Sequence, residues 1–371
     1  MEEGYKKTKK ELIEELEKLR KDFERLRKIA RNRLTRYCFY DKLTNLFNRA
    51  YFEEELRRLN TERQLPLSII IGDLNGLKLV NNAFGHKEGD KLLIKSGRFL
   101  KECCRKEDII SRWGGDEFAI LLPKTSIEAA EEVVDRIEEL CKKISDTKIP
   151  LSISLGIASK VDLKQDINTV LKKAEESMYK KKFRETINVS NSIISYLENS
   201  LWEKSHESKD DLDRIKKLAK KLGKMVNLNE TELEKLELLA AVHDIGKVAI
   251  LEDILEKSSV LKERDWEILK KHSEVGYHIA KSSDKLAPIA EAIITHHEWW
   301  NGRGYPFNLK GADIPLISRI IAIVDAYDAM TNDRPFRKAI KKEEAVEELK
   351  NLACKQFDPE LVDNFIKILE S

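Results

Sequence analysis

Arg112-Trp113-Gly114-Gly115-Asp116-Glu117-Phe118 joins two apolar runs, residues 108–113 and 118–122. Two such runs separated by Gly-Gly read as a β-hairpin, because glycine reaches the positive φ values that a tight turn demands. The missing side chains also let a bulky phosphate approach the backbone. An ordinary hairpin has no need of two acids directly after its turn. A further acid, Asp73, closes the apolar strand at 67–72, and ligands of α/β sheets gather at the carboxyl ends of strands. If Asp73 and Asp116 meet, they form an oxygen-rich site suited to Mg²⁺ and a triphosphate. Taken singly, each acid reads as a cap or turn residue.

Around this hairpin the pattern alternates from Tyr40 to Arg184. Periodicity predicts helices over 44–59, 79–100, 126–144 and 167–182, with another strand over 151–158. Interleaved strands and helices imply an α/β domain with a central sheet. From Glu185 onward the strand signal vanishes. Helical periodicity dominates there, with breaks near Gly223, Asn227, Pro288, residues 301–306, Pro315 and Pro359. This predicts a second, all-α domain. The Lys180-Lys181-Lys182 run ahead of it reads as a solvated helix end.

At the other end, Leu12, Leu16, Leu19, Phe23, Leu26 and Ala30 follow alternating spacings of four and three. That is a heptad seam. It is narrower than the stripe of a globular-core helix, which favours a parallel two-stranded coil over a single amphipathic helix. The expected division is a coiled-coil helix at 1–38, an α/β domain at 39–185 and an all-α domain at 186–371.

The 371 residues carry 68 Lys plus Arg against 66 Asp plus Glu, a net charge of +2, so no nucleic acid polymer is expected as a partner. Charged residues make up 36%, above the usual share of about 25%, which suits long solvated helices. The five cysteines contain no CxxC pair, which fits a reducing cytoplasm better than a disulfide framework. No apolar run approaches the roughly 18 residues of a membrane span, and no signal peptide is seen. A cytoplasmic location is the expectation. No sensor segment is seen ahead of the coil, so a fragment or a separate partner is expected to carry the stimulus.

Several spaced motifs accompany the hairpin: Asp41-Lys-Leu-Thr-Asn-Leu-Phe-Asn-Arg49, Asp73-Leu-Asn-Gly-Leu-Lys-Leu-Val-Asn81 and Phe84-Gly-His-Lys-Glu-Gly-Asp90. With these in order, residues 39–185 resemble the GGDEF family of diguanylate cyclases. The resemblance implies a central, mainly antiparallel sheet flanked by helices. It implies that Asp73, the Leu74 carbonyl and Asp116 hold Mg²⁺, that Asp116 is the candidate base for the 3′-hydroxyl, and that Glu117 joins the cluster. Asn81 and Asp90 would read guanine, whose edge offers two N–H donors to a carboxylate. His86 would line the pocket, and Lys78 would offset phosphate charge. Phosphoryl transfer rests mainly on positioning and charge stabilisation, so metal plus Lys is the expected kit. One GTP per domain and a product joining two require a homodimer, and the heptads offer a reason for one.

Arg105 and Asp108 form an RxxD just before the hairpin. Alone it reads as a surface salt bridge; at this offset it matches the family's inhibitory product site. The ending Tyr179-Lys-Lys-Lys-Phe-Arg184 departs from the family's usual one.

The helical half holds His243-Asp244-Ile-Gly-Lys247, His272, His296-His297-Glu298 and Asp325. Adjacent helix residues point about 100° apart, so such pairs seldom share a face without a purpose. One core histidine needs only a hydrogen bond; four with interleaved acids suit Fe, Mn or Zn at a two- or three-metal site that clamps a phosphodiester and generates hydroxide. The loop His296-His-Glu-Trp-Trp-Asn-Gly-Arg-Gly-Tyr-Pro306, the run Arg319-Ile-Ile-Ala-Ile-Val-Asp325-Ala-Tyr-Asp-Ala-Met330 and Arg334-Pro-Phe-Arg337 resemble the HD-GYP family of cyclic di-GMP phosphodiesterases. That resemblance implies Glu207, His243, Asp244, His272, His296, His297 and Asp325 as metal ligands. Lys247 would contact the scissile phosphate, Arg334 and Arg337 would bind the dinucleotide, and Tyr305 would shape the substrate loop.

One departure stands out. The family has a ligand His three residues before an Arg; here that register places Asp211 before Arg214. Asp is shorter and harder than imidazole, so two readings stand: a site with altered metal preference, or a degenerate, ligand-sensing domain. Trp299 and Trp300 read equally as purine stackers or as packing under the loop. The expectation is a homodimer that makes cyclic di-GMP from GTP in one domain and cleaves it in the other.

Overall fold

All eight residues of the strand Leu67–Leu74 are buried. A strand covered on both faces reads as continuous apolar sequence and sits inside a sheet with layers on either side. The computed structural model describes residues 9–143, 149–205, 209–250, 252–255, 262–333 and 338–370. In chain order these form α1 (Lys9–Phe39), β1 (Phe47–Asn48), α2 (Arg49–Leu59), β2 (Leu67–Leu74), α3 (Leu77–Phe84), α4 (His86–Cys103), β3 (Ile109–Gly114), β4 (Glu117–Leu122), α5 (Ile127–Lys143), β5 (Ile153–Lys160) and α6 (Ile167–Ser205). They continue with α7 (Lys209–Met225), α8 (Glu230–Val242), a 3₁₀ turn (Ile245–Ala249), α9 (Glu252–Leu255), α10 (Glu263–Lys281), α11 (Ala290–Thr295), α12 (Leu316–Thr331), α13 (Lys342–Leu352) and α14 (Pro359–Glu370).

The chain divides into two compact units. The first holds Met1–Leu74, Leu93–Leu140 and Ile153–Lys181. Its five-stranded sheet runs β1-β3-β4-β2-β5. β2 pairs antiparallel with β4 and β5, β3 pairs antiparallel with β4, and only β1 joins in parallel. The expected mainly antiparallel sheet flanked by helices is therefore present. Phe52 and Leu56 of α2 and Val170, Ala174 and Met178 of α6 pack with Ile69 and Ile71 of β2 into one core. Gly156 of β5 lies against α6 so closely that a Cβ there would sit 2.1 Å from the Met178 nitrogen and 2.2 Å from the Ala174 oxygen.

Three expected elements differ. The helix predicted from 44 starts at Arg49, because the Asp41 carboxylate accepts from the Thr44 amide at 2.8 Å and Asn45 takes φ +55°. That turn uses up the segment, and Asn48 caps the helix by accepting from Tyr51 at 3.0 Å. The helix predicted over 79–100 is two helices, parted at Gly85 with φ +84°. The helix predicted to end at 182 runs on to Ser205, since no Gly or Pro lies in it.

The second unit holds Asn75–Leu92, Cys141–Ser152 and Lys182–Ser371. Its helices α7, α8, α10, α11 and α12 pack around buried Leu236, Leu239, Ile279, Ile293, Ile320 and Ile323. A full capping box at Asn229 and Glu232 starts α8. From Ile167 onward the described residues form helices and two isolated bridges, as the all-α expectation required. In α1, Leu16, Leu19 and Phe23 of the heptad seam are exposed. No helix among the described residues is long and apolar enough to cross a membrane.

Gly156→Ala should lower the unfolding free energy by about 1–3 kcal/mol, because the intruding methyl meets backbone on two sides and neither side yields cheaply. Urea denaturation reads this; an unshifted midpoint would mean that β5 and α6 do not touch there.

Candidate functional site

The hairpin stands as read. Gly115 takes φ +25° at the β3–β4 turn, with nothing within 4 Å of its would-be Cβ. Arg112 donates to the Gly115 carbonyl at 2.6 Å and lies 3.3 Å from Asp41, fastening the turn. In the β2–β4 ladder Asp73 is the partner of Glu117, and the Leu74 amide donates to the Asp116 carbonyl at 2.9 Å. The first unit therefore brings Asp73, Leu74, Asp116 and Glu117 to one end of the sheet. Asp73 is 2% exposed, while Asp116 and Glu117 are half-buried. Like charges directly opposite on paired strands repel, and a cation relieves that cost.

Asp108 accepts from the Arg105 amide at 2.7 Å and is buried. Burial pushes its carboxyl above the usual range. Arg105 is exposed, and no ion pair between the two forms among the described residues.

Within the second unit, α3 carries Lys78 and Asn81, and α4 begins at His86 and carries Asp90. A Cβ on Gly89 would lie 1.9 Å from the Asn81 carboxamide oxygen. The bare glycine lets the Asn81 side chain lie against the turn of α4 that holds Asp90. Lys78, His86 and Asp90 are exposed.

The second constellation converges. Asp244, His272, His296 and His297 offer ligand atoms all within 4.8 Å of one another. His243 caps the end of α8, Asp244 precedes the 3₁₀ turn that carries Lys247, His272 lies on α10, and His296 and His297 follow α11. Nε2 of His272 is 3.2 Å from Asp244 and that of His296 is 3.7 Å from it. His243 Nε2 lies 3.6 Å from Asp244 and 3.8 Å from Asp325, which ties Asp325 to the group.

The tautomers follow from the partners. His272 Nδ1 meets the Leu269 carbonyl at 2.6 Å, and His296 Nδ1 meets the Ile293 carbonyl at 2.5 Å. A carbonyl only accepts, so each Nδ1 carries a proton, and in the neutral ring each Nε2 keeps a lone pair. Those two Nε2 atoms face each other at 3.3 Å. Neither nitrogen of buried His243 has a hydrogen-bond partner among the described residues. Converging, proton-free donors of this kind fit a divalent metal, with the carbonyls orienting the ligands.

Burial disfavours the charged Asp244, but the Lys247 ammonium beside it, with its other close partners, outweighs that and holds the carboxyl well below its usual range. Burial lowers His296, and more strongly His297.

Tyr305 stands with its ring 5.0 Å from that of His297, and burial raises its phenol. Trp300 packs under the loop with Arg319 at 5.6 Å from its ring, while Trp299 is at the surface. Asp211 pairs with Arg214, which also reaches Asp328 at 3.1 Å; it is not one of the four clustered residues. Glu207, Arg334 and Arg337 lie outside the described residues. Two features carried no sequence signal of their own: the Leu269 and Ile293 carbonyls, and the contact of Gly246 with α10, where a Cβ would sit 1.9 Å from the His272 oxygen. Glu298 was visible beside the His pair without a role.

Residues 38–186 match the family model described as diguanylate cyclase, GGDEF domain. Residues 191–361 match that of the HD domain. The chain carries a GGDEF domain followed by an HD domain. It is 32% identical over 212 residues to a cyclic di-GMP phosphodiesterase of Thermotoga maritima, covering 56% of this chain and 55% of that protein. It is 36% identical over 176 residues to 3′3′-cGAMP-specific phosphodiesterase 2 of Vibrio cholerae, covering 47% and 34%. The chain thus spans about a third to a half of the length of these relatives. The crystal structure of the coiled coil and GGDEF domain of DgcB from Caulobacter crescentus, in complex with c-di-GMP, aligns over 45% of this chain and 92% of that one, with 23% identity and a TM-score of 0.41.

The pKa directions set a sign for the metal-free protein. Imidazoles held below 6.5 in the fold bind protons more readily once unfolded, so stability is lost as pH falls through that value. Asp244, held below 3.8, adds a loss in the same direction at lower pH. The urea midpoint of chelator-treated protein should drop between about pH 7.5 and about pH 5.5, and the drop should shrink in a His296→Gln, His297→Gln variant. An identical drop in that variant contradicts the assignment.

Proposed function

We propose that the chain turns over cyclic di-GMP: the first domain condenses two GTP, and the second, an HD-GYP-type domain, cleaves the cyclic dinucleotide. The observation that carries this is the pair of donor sets: carboxylates brought to one sheet end by strand register, and imidazoles whose ligand atoms converge with Asp244. Bound divalent cations, Mg²⁺ in the first domain and two or three of Fe, Mn or Zn type in the second, would neutralise phosphate charge and supply a hydroxide nucleophile.

The residues divide the remaining work. Asp73, the Leu74 carbonyl and Asp116 hold the cation of the first domain, Glu117 completes its charge, and Asp116 takes the proton of the attacking 3′-hydroxyl. Asn81 and Asp90 read guanine, His86 lines that pocket, and Lys78 balances the phosphates. Arg105 and Asp108 bind product as a brake. In the second domain His243, Asp244, His272, His296, His297 and Asp325, with Glu207, form the metal set. Lys247 stands beside Asp244 to meet the scissile phosphate, and Tyr305, Arg334 and Arg337 hold the dinucleotide. The chain works in the cytoplasm as a homodimer, α1 pairing through Leu16, Leu19 and Phe23, whose exposure supports a coil.

A second reading keeps the cyclase and makes the HD domain a cyclic di-GMP sensor. The pairing of one Asp211 oxygen with Arg214, away from the four clustered residues, favours it.

Incubation with GTP and Mg²⁺, then with cyclic di-GMP or 3′3′-cGAMP and Mn²⁺ or Fe²⁺, followed by chromatography, separates the readings. Asp116→Ala should abolish synthesis alone, and His243→Ala with Asp244→Ala hydrolysis alone. Intact protein that binds cyclic di-GMP without cleaving it leaves the sensor. Leu16→Lys with Leu19→Lys should halve the mass seen by analytical ultracentrifugation and remove synthesis; an unchanged mass rules out the coil.

A further inference from the structure

The loop after the His pair turns back on itself, with Asn301 and Lys310 bridged at its neck. Inside it lies a carboxylate. Glu298 is 3% exposed, and its two oxygens accept from the Phe307 amide at 2.7 Å and the Leu309 amide at 3.0 Å. A buried charge needs partners of this quality, and charge-assisted bonds are the strong ones. Two more contacts leave the loop little slack. A Cβ on Gly304 would lie 2.2 Å from the Trp299 nitrogen and 2.4 Å from the Glu298 Cα. The Tyr305 amide donates to the His297 carbonyl at 3.2 Å. The stretch from Gly304 to Leu309 is thus held at its start by close packing and at its end by one side chain. Phe307, bonded to that side chain through its amide, is 56% exposed.

We propose that Glu298 is a positioning residue that clamps this loop against the His/Asp cluster, so that Tyr305 and Phe307 form a preset aromatic rim for the cyclic dinucleotide. This rests on the reading of the HD domain as a dinucleotide site. Glu298 follows His297 directly, yet its oxygens are spent on amides of the loop, so its effect falls on substrate placement and not on the metal set. Glu298→Gln preserves shape but turns one acceptor into a donor facing an N–H.

Hydrogen exchange on the wild-type protein should show the Phe307 and Leu309 amides protected; in Glu298→Gln their protection should fall at least about tenfold. The same variant should raise the KM for cyclic di-GMP at least about tenfold, while hydrolysis of bis(4-nitrophenyl) phosphate and bound metal stay within about twofold. That small diester needs the cluster and has no use for a rim. Unprotected wild-type amides overturn the clamp, and so does an equal loss toward both substrates, which would assign Glu298 to the cluster. If wild type neither binds nor cleaves cyclic di-GMP yet Glu298→Gln frees the amides, the clamp stands and the substrate assignment fails.

Discussion

Asp244 is a carboxylate almost wholly withdrawn from water, 4% exposed, and the second unit is arranged to make that tolerable. Removing a charge from water costs several kcal/mol, recovered only when partners surround it closely. Its partners come from separate elements: His243 at the end of α8, Lys247 on the 3₁₀ turn, His272 on α10 and His296 after α11. To converge on one carboxylate the turn and α10 must nearly touch. Gly246 permits this, and Gly276 faces it across α10, where a Cβ would lie 3.4 Å from the Gly246 nitrogen. The glycine of the His-Asp-x-Gly-Lys run is therefore a packing residue placed there by the site's electrostatics.

Short-range chemistry was legible in the sequence, and long-range geometry only where a motif encoded it. The hairpin, the strand that ends near Asp73 and the all-α second half needed only local composition and period. The broken helix at Gly85 was missed because a single glycine inside a long apolar pattern reads as tolerated, whereas φ +84° makes it a stop. The start of α2 was missed because the Asp41 turn competes with helix through side-chain bonds that periodicity does not weigh. In the candidate site the clustered histidines were readable as unusual neighbours. Asp211 stands three residues before Arg214 on the same helix, and that pairing is local and readable from spacing alone.

The two donor sets solve one problem by different means. In each, the fold brings donors of one kind together, acids in the first domain and imidazole nitrogens in the second. In the first domain the sheet does this. Asp73 and Glu117 are ladder partners, and a one-residue slip of β2 would send every side chain to the opposite face. The fit of Ile69 and Ile71 into the core with α2 and α6 opposes that slip. In the second domain helix ends do it. His272 and His296 each give Nδ1–H to a carbonyl three residues back on their own chain segment, which aims the bare nitrogens inward at 3.3 Å from each other.

Those two solutions differ in what disturbs them. A sheet register is a collective property, resisted by the whole core around Ile69 and Ile71, so single substitutions near Asp116 alter charge without moving Asp73. An imidazole aimed by one carbonyl depends on the pitch of one helical turn. A change in how α11 ends rotates His296 away from Asp244 while leaving the hydrophobic packing behind it intact. The orientation of the histidine centre thus rests on few bonds, and the position of the acid centre on many. The Tyr305 amide, bonded to the His297 carbonyl, joins the substrate loop to the former.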